Sequence, residues 1–249
     1  MKYGLCNLSI VPLRVESSDT SEMISQVLYG ELFEIIEFSK KWSFIKLNYD
    51  GYEGWIDNKQ FLPISDVDYN SLKLLPKKYA TNLVDLISIS KDNLLPISLG
   101  SNIEVCNFIQ HTFEGDFITN KQSKSSLIET AQSYLNSPYL WGGKTPFGID
   151  CSGFSQMVYK INGYHLLRDA SQQATQGEVL SFIEESEPGD LAFFDNEEGN
   201  ITHVGIIMEN NFIIHASGKV RIDHLDHSGI FNIDTKKHTH KLRVIKRVI

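Results

Sequence analysis

The sequence has few cysteines and no pattern that would make them a scaffold. Only Cys6, Cys106 and Cys151 occur among the 249 residues, and none of them forms a Cys-x-x-Cys pair. This sparse, odd-numbered set argues against a disulfide-rich fold and gives no support to a structural zinc site.

Basic runs and long apolar runs are also missing. Lys and Arg number 23 against 31 Asp and Glu, a formal net charge of −8, which argues against a nucleic-acid partner. No apolar run approaches the roughly 18 residues of a membrane span. The first residues lack the apolar region of about 7–15 residues that a secretory signal needs. We therefore expect a cytoplasmic protein with no membrane partner.

The residues that are present predict three stretches. Residues 1–63 contain short segments rich in β-formers around an Asp50-Gly51 turn signal, which favours a small barrel. Residues 64–120 have a similar texture and predict a second, diverged barrel. Residues 121–249 begin with helical patterns and continue as a series of strands, closed by residues 242–249. The third stretch therefore predicts an α+β domain.

Two helices are expected at the start of the third stretch. Ser126-x-x-Glu129 fits a capping box for the first helix, which Pro138 would end. The second follows the segment Asp150-Cys151-Ser152-Gly153, with Cys151 in its first turn. It has one apolar stripe at helical spacing, made of Phe154, Met157, Val158 and Ile161. Asn162-Gly163 would end this second helix.

Cys151 is the cysteine best placed for chemistry. The amides at a helix start are unpaired and carry partial positive charge, which predicts a lowered thiol pKa and a nucleophilic thiolate. The alternative is a small core residue, which is the usual fate of a free cysteine.

A nucleophilic cysteine needs a base, and His203 and His215 each border a strongly apolar strand. A hairpin centred on Glu209 would make them direct cross-strand neighbours, whereas a two-residue turn on Asn210-Asn211 would pair His203 elsewhere. A zinc site made of Cys151 and these two histidines is a disfavoured alternative. The remaining C-terminal histidines are expected in solvent: His224, His227, His238 and His240.

Five motifs resemble, in order, those of the NlpC/P60 cysteine peptidases of bacterial cell-wall metabolism. They are Tyr139-x-Trp141-Gly142-Gly143, Gly148-x-Asp150-Cys151-Ser152-Gly153-Phe154, Pro188-Gly189-Asp190-Leu191-x-Phe193-Phe194, His203-Val204-Gly205-Ile206 and His215-Ala216. The first stretch resembles a bacterial SH3 module. The whole layout is similar to the γ-D-glutamyl-L-diamino acid endopeptidases, or dipeptidyl-peptidases VI, that recycle muropeptides.

The resemblance implies a papain-like α+β catalytic domain over residues 121–249, preceded by one or two SH3-like barrels. It implies that Cys151 is the nucleophile and His203 the general base. It further implies that His215 is the third polar residue and that Tyr139 helps to bind the oxyanion.

The resemblance also implies a set of substrate-binding residues: Asp150, Ser152, Arg168 and Asp169. Together with Asp150, a carboxylate of the SH3 module would hold the free amine of the substrate. We place that carboxylate at Glu16, with Tyr52 beside it, while Glu22 and Glu31 are alternatives.

The expected reaction needs neither a metal nor an organic cofactor. The expected substrate is a small peptide derived from peptidoglycan, of the type L-Ala-γ-D-Glu-L-diamino acid, and we expect a monomer. Three alternatives remain open from the sequence: a non-catalytic cell-wall binding protein, a papain-like amidase or acyltransferase with another substrate, and a redox sensor built on Cys151.

Overall fold

The computed structural model describes residues 2–249, which fall into two compact units. Unit one holds the chain up to Asn120 together with Trp141–Pro146, and unit two holds Lys121–Leu140 and Phe147–Ile249. No helix among the described residues has the length and apolar character needed to cross a membrane. The cytoplasmic location and the three-domain division remain predictions.

The first part of unit one is a seven-stranded antiparallel sheet in the order β3-β2-β6-β5-β4-β1-β7. Its strands are β1 (Tyr3–Leu5), β2 (Ile10–Arg14), β3 (Met23–Leu28), β4 (Leu32–Phe38), β5 (Trp42–Leu47), β6 (Glu53–Asp57) and β7 (Leu62–Ile64). Its core contains Leu13, Phe33 and Ile45, each fully buried. This part confirms the SH3-like barrel that the sequence predicts.

The rest of unit one forms smaller sheets. The elements are α1 (Asp66–Leu74), β8 (Lys78–Ala80), β9 (Val84–Ser90), β10 (Asn93–Ser98), a 3₁₀ turn (Ile103–Val105), β11 (Thr112–Phe113), β12 (Phe117–Thr119) and β13 (Lys144–Thr145). Strands β10, β9 and β11 form one sheet, and β12 pairs with β8. Tyr69 and Ile97 from this region share a hydrophobic cluster with Tyr3 and Leu5 of the barrel. The second SH3-like barrel over residues 64–120 remains a prediction.

The segment Trp141–Pro146 is held in unit one by polar contacts. The indole Nε1 of its tryptophan donates to Glu22 at 2.6 Å. The backbone N–H of Lys144 donates to Gln26 at 2.7 Å, and its buried ammonium pairs with Glu31 at 3.2 Å. These contacts join the segment to residues 22–31, and loss of either partner of the buried ion pair would leave an uncompensated charge.

Unit two combines helices with another seven-stranded antiparallel sheet. Its elements are α2 (Lys124–Ser133), β14 (Gly148–Ile149), α3 (Cys151–Ile161), α4 (Ala170–Gln173), β15 (Glu178–Leu180), a 3₁₀ turn (Ile183–Glu185), β16 (Leu191–Asp195), β17 (Ile201–Ile207), a 3₁₀ turn (Glu209–Asn211), β18 (Phe212–Ser217), β19 (Lys219–Asp226), β20 (Gly229–Asn232) and β21 (Lys237–Arg247). The helices precede the run of strands, as the α+β prediction requires.

The sheet of unit two closes on itself. Its strand order is β15-β21-β16-β17-β18-β19-β20, and β20 also pairs with β21, so that six strands form a ring. A cluster that includes Phe194, Ile207, Ile213 and Leu225 fills part of its core. Strand β21 starts at Lys237, five residues before the predicted closing strand.

Helix α3 is buried along its whole length. All eleven residues from Cys151 to Ile161 are buried, including the four residues of the predicted apolar stripe. The Asp150 side chain accepts the Gly153 backbone N–H at 2.6 Å and caps the helix, and Asn162 is its C-terminal cap. The predicted start and end of this helix are therefore confirmed.

The prediction for helix α2 was wrong at both ends. Its N-cap is Ser123, whose hydroxyl accepts the Ser126 backbone N–H at 3.2 Å. The helix ends at Ser133, before Pro138 can act on it. Serines are frequent in this segment, so the capping-box pattern selected the wrong one of several good caps.

Candidate active site

Cys151 is the first residue of helix α3 and is only 6% exposed. Its Sγ donates a long hydrogen bond to the carbonyl oxygen of Thr202 at 3.9 Å, and a backbone hydrogen bond at Val204 also acts on it. Thr202 and Val204 are the two neighbours of His203 on strand β17. The thiol therefore lies against the backbone that carries His203.

The charge state of the thiol differs from the expected one. Burial raises the pKa of Cys151 to about 12, and the nearby Asp150 charge adds to the rise. The hydrogen bonds from the backbone of Val204 and Ser152 act in the opposite direction but are weaker. The predicted lowering of the thiol pKa was therefore wrong, and this thiol could act as a nucleophile only with a base to take its proton.

His203 and His215 form a buried hydrogen-bonded pair. The Nε2 of His203 lies 2.8 Å from the Nδ1 of His215, and the ring centroids are 5.0 Å apart. The residue directly opposite His215 on β17 is Gly205, so the two histidines are diagonal and not direct neighbours. The hairpin is centred on Asn210 and not on Glu209, which corrects the predicted register by two residues while leaving the histidines on one face.

Gly205 makes room for this arrangement. A Cβ atom placed on Gly205 would lie 2.7 Å from Cδ1 of Ile213 and 2.9 Å from Cβ of His215. Any side chain at this position would press against the Ile213 side chain and the Cβ of His215. The glycine of His203-Val204-Gly205 is therefore needed for packing beside the imidazole pair.

His240 is a member of the site that the sequence did not indicate. Its ring stacks on His203 with centroids 4.1 Å apart and an interplanar angle of 25°. Burial lowers the pKa of His240 to about 4. The expectation that His240 lies in solvent was wrong, because strand β21 carries it into the ring of strands. By contrast, His238 on the same strand is exposed and pairs with Asp226 at 2.8 Å.

The three imidazoles are the strongest metal-binding candidate among residues 2–249. One ring nitrogen of each of His203, His215 and His240 lies within 4.8 Å of the others. However, imidazole binds a metal through a lone pair in the ring plane, and the nearly parallel planes of His203 and His240 do not converge on one point. His203 and His215 also use their nearest nitrogens for each other. The arrangement fits a tetrahedral metal centre less well than a hydrogen-bonded chain of imidazoles, here called the relay, formed by His203 and His215.

Arg168 is a fully buried cation close to the start of helix α3. Its guanidinium makes two parallel hydrogen bonds to Asp150, at 3.0 and 2.6 Å, and a third to the Ser152 hydroxyl at 3.0 Å. Bidentate pairing of this kind is strong and directional. It fixes the residue before Cys151 and thereby the first turn of helix α3. Asp169 caps helix α4, and its backbone N–H donates to Gln172 at 3.1 Å.

Tyr139 is partly exposed, at 37%, and its backbone forms a bridge with Ile149, two residues before Cys151. Burial raises the pKa of Tyr139 to about 12, with smaller contributions from the charges of Cys151 and Asp150. Its hydroxyl therefore keeps its proton at neutral pH and can donate a hydrogen bond.

The proposed amine-binding residues belong to unit one. Glu16 is exposed and lies in the turn between β2 and β3, where its backbone N–H donates to Ser21 at 2.9 Å. Tyr52 is half-buried and packs on the barrel core. Of the two alternative acids, Glu22 accepts from Trp141 and Glu31 is buried against Lys144. Those two contacts give both alternatives structural roles.

Acid should destabilise the protein through the buried imidazoles. The pKa of His240 in the fold is about 4 against an ordinary 6.5, so the unfolded chain binds a proton first as the pH falls. We expect the free energy of unfolding to decrease from about pH 6.5 towards pH 4. His240→Phe keeps a ring in the stack and should show a weaker dependence, measurable by urea unfolding at several pH values. An identical pH dependence in this variant would contradict the assignment.

Comparison with known proteins shows which families the chain resembles. The NlpC/P60 family model matches residues 136–240, and the model of the bacterial dipeptidyl-peptidase SH3 domain matches residues 13–61. The gamma-D-glutamyl-L-lysine dipeptidyl-peptidase of Bacillus subtilis is 30% identical over 235 residues, which cover 86% of this chain and 75% of the relative. Dipeptidyl-peptidase 6 of Lysinibacillus sphaericus is 26% identical, covering 83% and 85%.

A solved structure shows the same fold over the whole chain. The crystal structure of an NlpC/P60 family protein from Bacillus cereus aligns with a TM-score of 0.81 and 18% identity, covering 99% of both chains. A cysteine that begins a buried helix, a histidine pair on adjoining strands and a barrel before them are thus found together with matching family models. By these findings the chain belongs to the NlpC/P60 family of cysteine peptidases.

Proposed function

We propose that this protein hydrolyses the γ-D-glutamyl-L-diamino acid bond of peptidoglycan stem peptides with a free N-terminal L-alanine, as a step of muropeptide recycling in the cytoplasm. The observation that carries the proposal is the placement of the Cys151 thiol against the backbone on both sides of His203. The substrate class is supported by the names of the Bacillus and Lysinibacillus relatives, which the chain resembles over most of its length.

In the proposed reaction, the Sγ of Cys151 attacks the γ-carbonyl carbon of D-glutamate. The thiol needs a base because its pKa is raised, and His203 takes the proton. Burial holds the pKa of His203 well below 6.5, so that this ring is neutral and able to accept a proton at neutral pH. His203 then protonates the departing amine of the diamino acid, and water hydrolyses the resulting thioester.

The oxyanion of the tetrahedral intermediate needs hydrogen-bond donors. The amide of Cys151 is at the first position of a helix, where backbone N–H groups have no partner within the helix. The Tyr139 hydroxyl, which is protonated at neutral pH, is the second proposed donor. Both donors are uncharged. They can therefore stabilise the oxyanion when it forms, without attracting an anion to the site before the reaction.

The free amine of the substrate is proposed to meet two carboxylates. Asp150 is one of them, but Arg168 already neutralises its charge through a bidentate pair. A substrate ammonium at this place therefore requires a further acid, and we assign that role to Glu16 with Tyr52 beside it. Blocking the amine would remove the positive charge that the two carboxylates are proposed to bind.

The test is a product analysis of two matched peptides. Purified protein is incubated with L-Ala-γ-D-Glu-L-Lys and with the same peptide acetylated at its N-terminus, and products are identified by mass spectrometry. We expect release of the dipeptide L-Ala-γ-D-Glu from the first peptide and little from the second. Repeating the assay with diaminopimelate in place of lysine defines the preferred diamino acid.

Three other results would each contradict a part of the proposal. Equal cleavage of both peptides would reject the requirement for a free amine. No cleavage of either peptide would reject the γ-glutamyl substrate. Transfer of the acyl group to an added amine, with no hydrolysis, would favour the acyltransferase alternative.

A further inference from the structure

Asp223 is a completely buried carboxylate at the far end of the histidine pair. On strand β19 its Oδ2 lies 3.1 Å from the Nε2 of His215 and accepts from the Nε of Arg221 at 2.6 Å. Its Oδ1 accepts from the Nη2 of Arg221 at 2.8 Å and from the backbone N–H of Ile233 at 2.9 Å. Burial alone would raise the pKa of Asp223, but the hydrogen bonds from His215, Arg221 and Ile233 hold it well below its usual range.

An ionised carboxylate can only accept hydrogen bonds. This decides which ring nitrogens of His215 and His203 carry a hydrogen. The Nε2 of His215 must therefore carry a hydrogen and donate it to Asp223. Burial lowers the pKa of His215, so the ring is neutral and its Nδ1 is an acceptor. The Nε2 of His203, 2.8 Å away, must then be the donor.

The same reasoning fixes the last nitrogen. His203 is also neutral, because burial lowers its pKa well below 6.5. With a hydrogen on Nε2, its only lone pair is on Nδ1. Among the ring nitrogens of His203 and His215, only the Nδ1 of His203 has a lone pair that is not used within the pair. The Asp223 carboxylate, two hydrogen bonds away, determines that this nitrogen is the base.

We propose that Asp223 is a positioning residue that selects the tautomers of His215 and His203 and so makes the Nδ1 of His203 the base for Cys151. This inference rests on the proposed function of Cys151 and His203. During the reaction the thiol proton moves to that Nδ1, and His203 becomes an imidazolium with both nitrogens protonated. The Nε2 hydrogen stays on His203, and Asp223 remains ionised throughout.

The variant Asp223→Asn tests this directly because it keeps size and shape. At the Oδ1 position, the amide nitrogen of the new asparagine would face two groups that can only donate, the guanidinium of Arg221 and the backbone N–H of Ile233. Donor would then face donor, which is unfavourable. At the Oδ2 position it faces the Nε of Arg221 and His215, and His215 can respond by changing tautomer. We therefore expect the amide to donate to Nε2 of His215, which reverses both rings and leaves the Nδ1 of His203 protonated.

The expected effect is on the chemical step. The kcat should fall on the order of 10²–10⁴-fold with KM within about threefold, as when a carboxylate that fixes a catalytic tautomer is made an amide. The control is Asp234→Asn, which removes the exposed second partner of Arg221, at 2.9 Å, and leaves the histidine contacts in place. The control should keep kcat within about twofold.

Two further measurements separate this inference from the choice of substrate. Nitrogen-15 NMR of labelled histidines should show Nε2 protonated and Nδ1 unprotonated for His203 in the unmodified protein, with the reverse in Asp223→Asn. The alkylation rate of Cys151 by iodoacetamide at neutral pH should fall in the variant but not in the control.

The outcomes are distinguishable. A protonated Nδ1 on His203 in the unmodified protein would overturn the inference even if the variant did not fold. Unchanged kcat and unchanged thiol reactivity in a folded Asp223→Asn variant would also overturn it. If the tautomers and thiol reactivity change as expected while no γ-glutamyl peptide is cleaved by the unmodified protein, Asp223 keeps its role and the proposed substrate is rejected.

Discussion

Cys151→Ala is expected to lower kcat/KM by at least about 10⁴-fold on any peptide that the protein cleaves, since removing the nucleophile of a catalytic triad costs this much or more. The expected loss is large because alanine has no group that can form the thioester of the proposed reaction. Turnover is followed by mass spectrometry, with enzyme concentration raised to detect weak residual cleavage.

The matched control for this variant is Cys106→Ala, which removes a buried thiol of unit one. It should retain activity within about twofold, although loss of the Cys106 contact with Tyr29 can lower stability. Residual activity of Cys151→Ala above one tenth of the unmodified protein would show that Cys151 is not the nucleophile.

Arg168→Met is expected to cost about 3–5 kcal/mol of unfolding free energy, because it leaves the Asp150 carboxylate buried without its cation. Domains of ordinary stability have only about 5–15 kcal/mol, so the loss would be a large share of the free energy of unfolding. Urea unfolding followed by circular dichroism measures the change.

Two further variants test whether the loss of stability in Arg168→Met comes from the uncompensated charge of Asp150. Lys46→Met breaks an exposed ion pair with Glu53 and should cost below about 1 kcal/mol. Arg168→Met combined with Asp150→Asn removes the uncompensated charge while keeping a helix cap, and should recover part of the stability. If the double variant is no more stable than Arg168→Met, the loss comes from packing of the arginine and not from the charge.

Local sequence patterns predicted helix α3 and the place of Cys151 at its start. The apolar stripe and the Asn162-Gly163 stop depend on residues close together in the chain, and both were found where the pattern placed them. The charge state of Cys151 could not be predicted in this way. The helix start favours a thiolate, but burial by residues distant in sequence raises the thiol pKa more strongly.

The register of the histidine hairpin needed information that the sequence does not display. Asn210 and Asn211 both adopt positive φ, near 58° and 59°, and the turn closes between Met208 and Phe212. Asparagine tolerates this conformation, but its presence does not determine which pair of residues closes the hairpin. The two histidines still meet because imidazoles can reach along the diagonal.

His240 and Asp223 were missed for different reasons. His240 lies in the polar segment Lys237-His238-Thr239-His240, and only the pairing of β20 with β21 closes the ring of strands that encloses it. Asp223 is two residues after Arg221, so both are on the same side of a strand, where the arginine can neutralise the acid. This i, i+2 pairing of opposite charges beside an apolar strand is a signal that could have identified the buried acid.

The assignment of Trp141–Pro146 to unit one affects how the protein can be divided experimentally. A fragment beginning at residue 121 would contain Cys151 and every histidine of the relay, yet it would carry Lys144 without Glu31 and Trp141 without Glu22. Truncation before residue 121 therefore removes the partners of a peptide segment that the fragment retains. Exchange of SH3 modules between relatives would meet the same constraint, because the donor barrel must bring acids that match this segment.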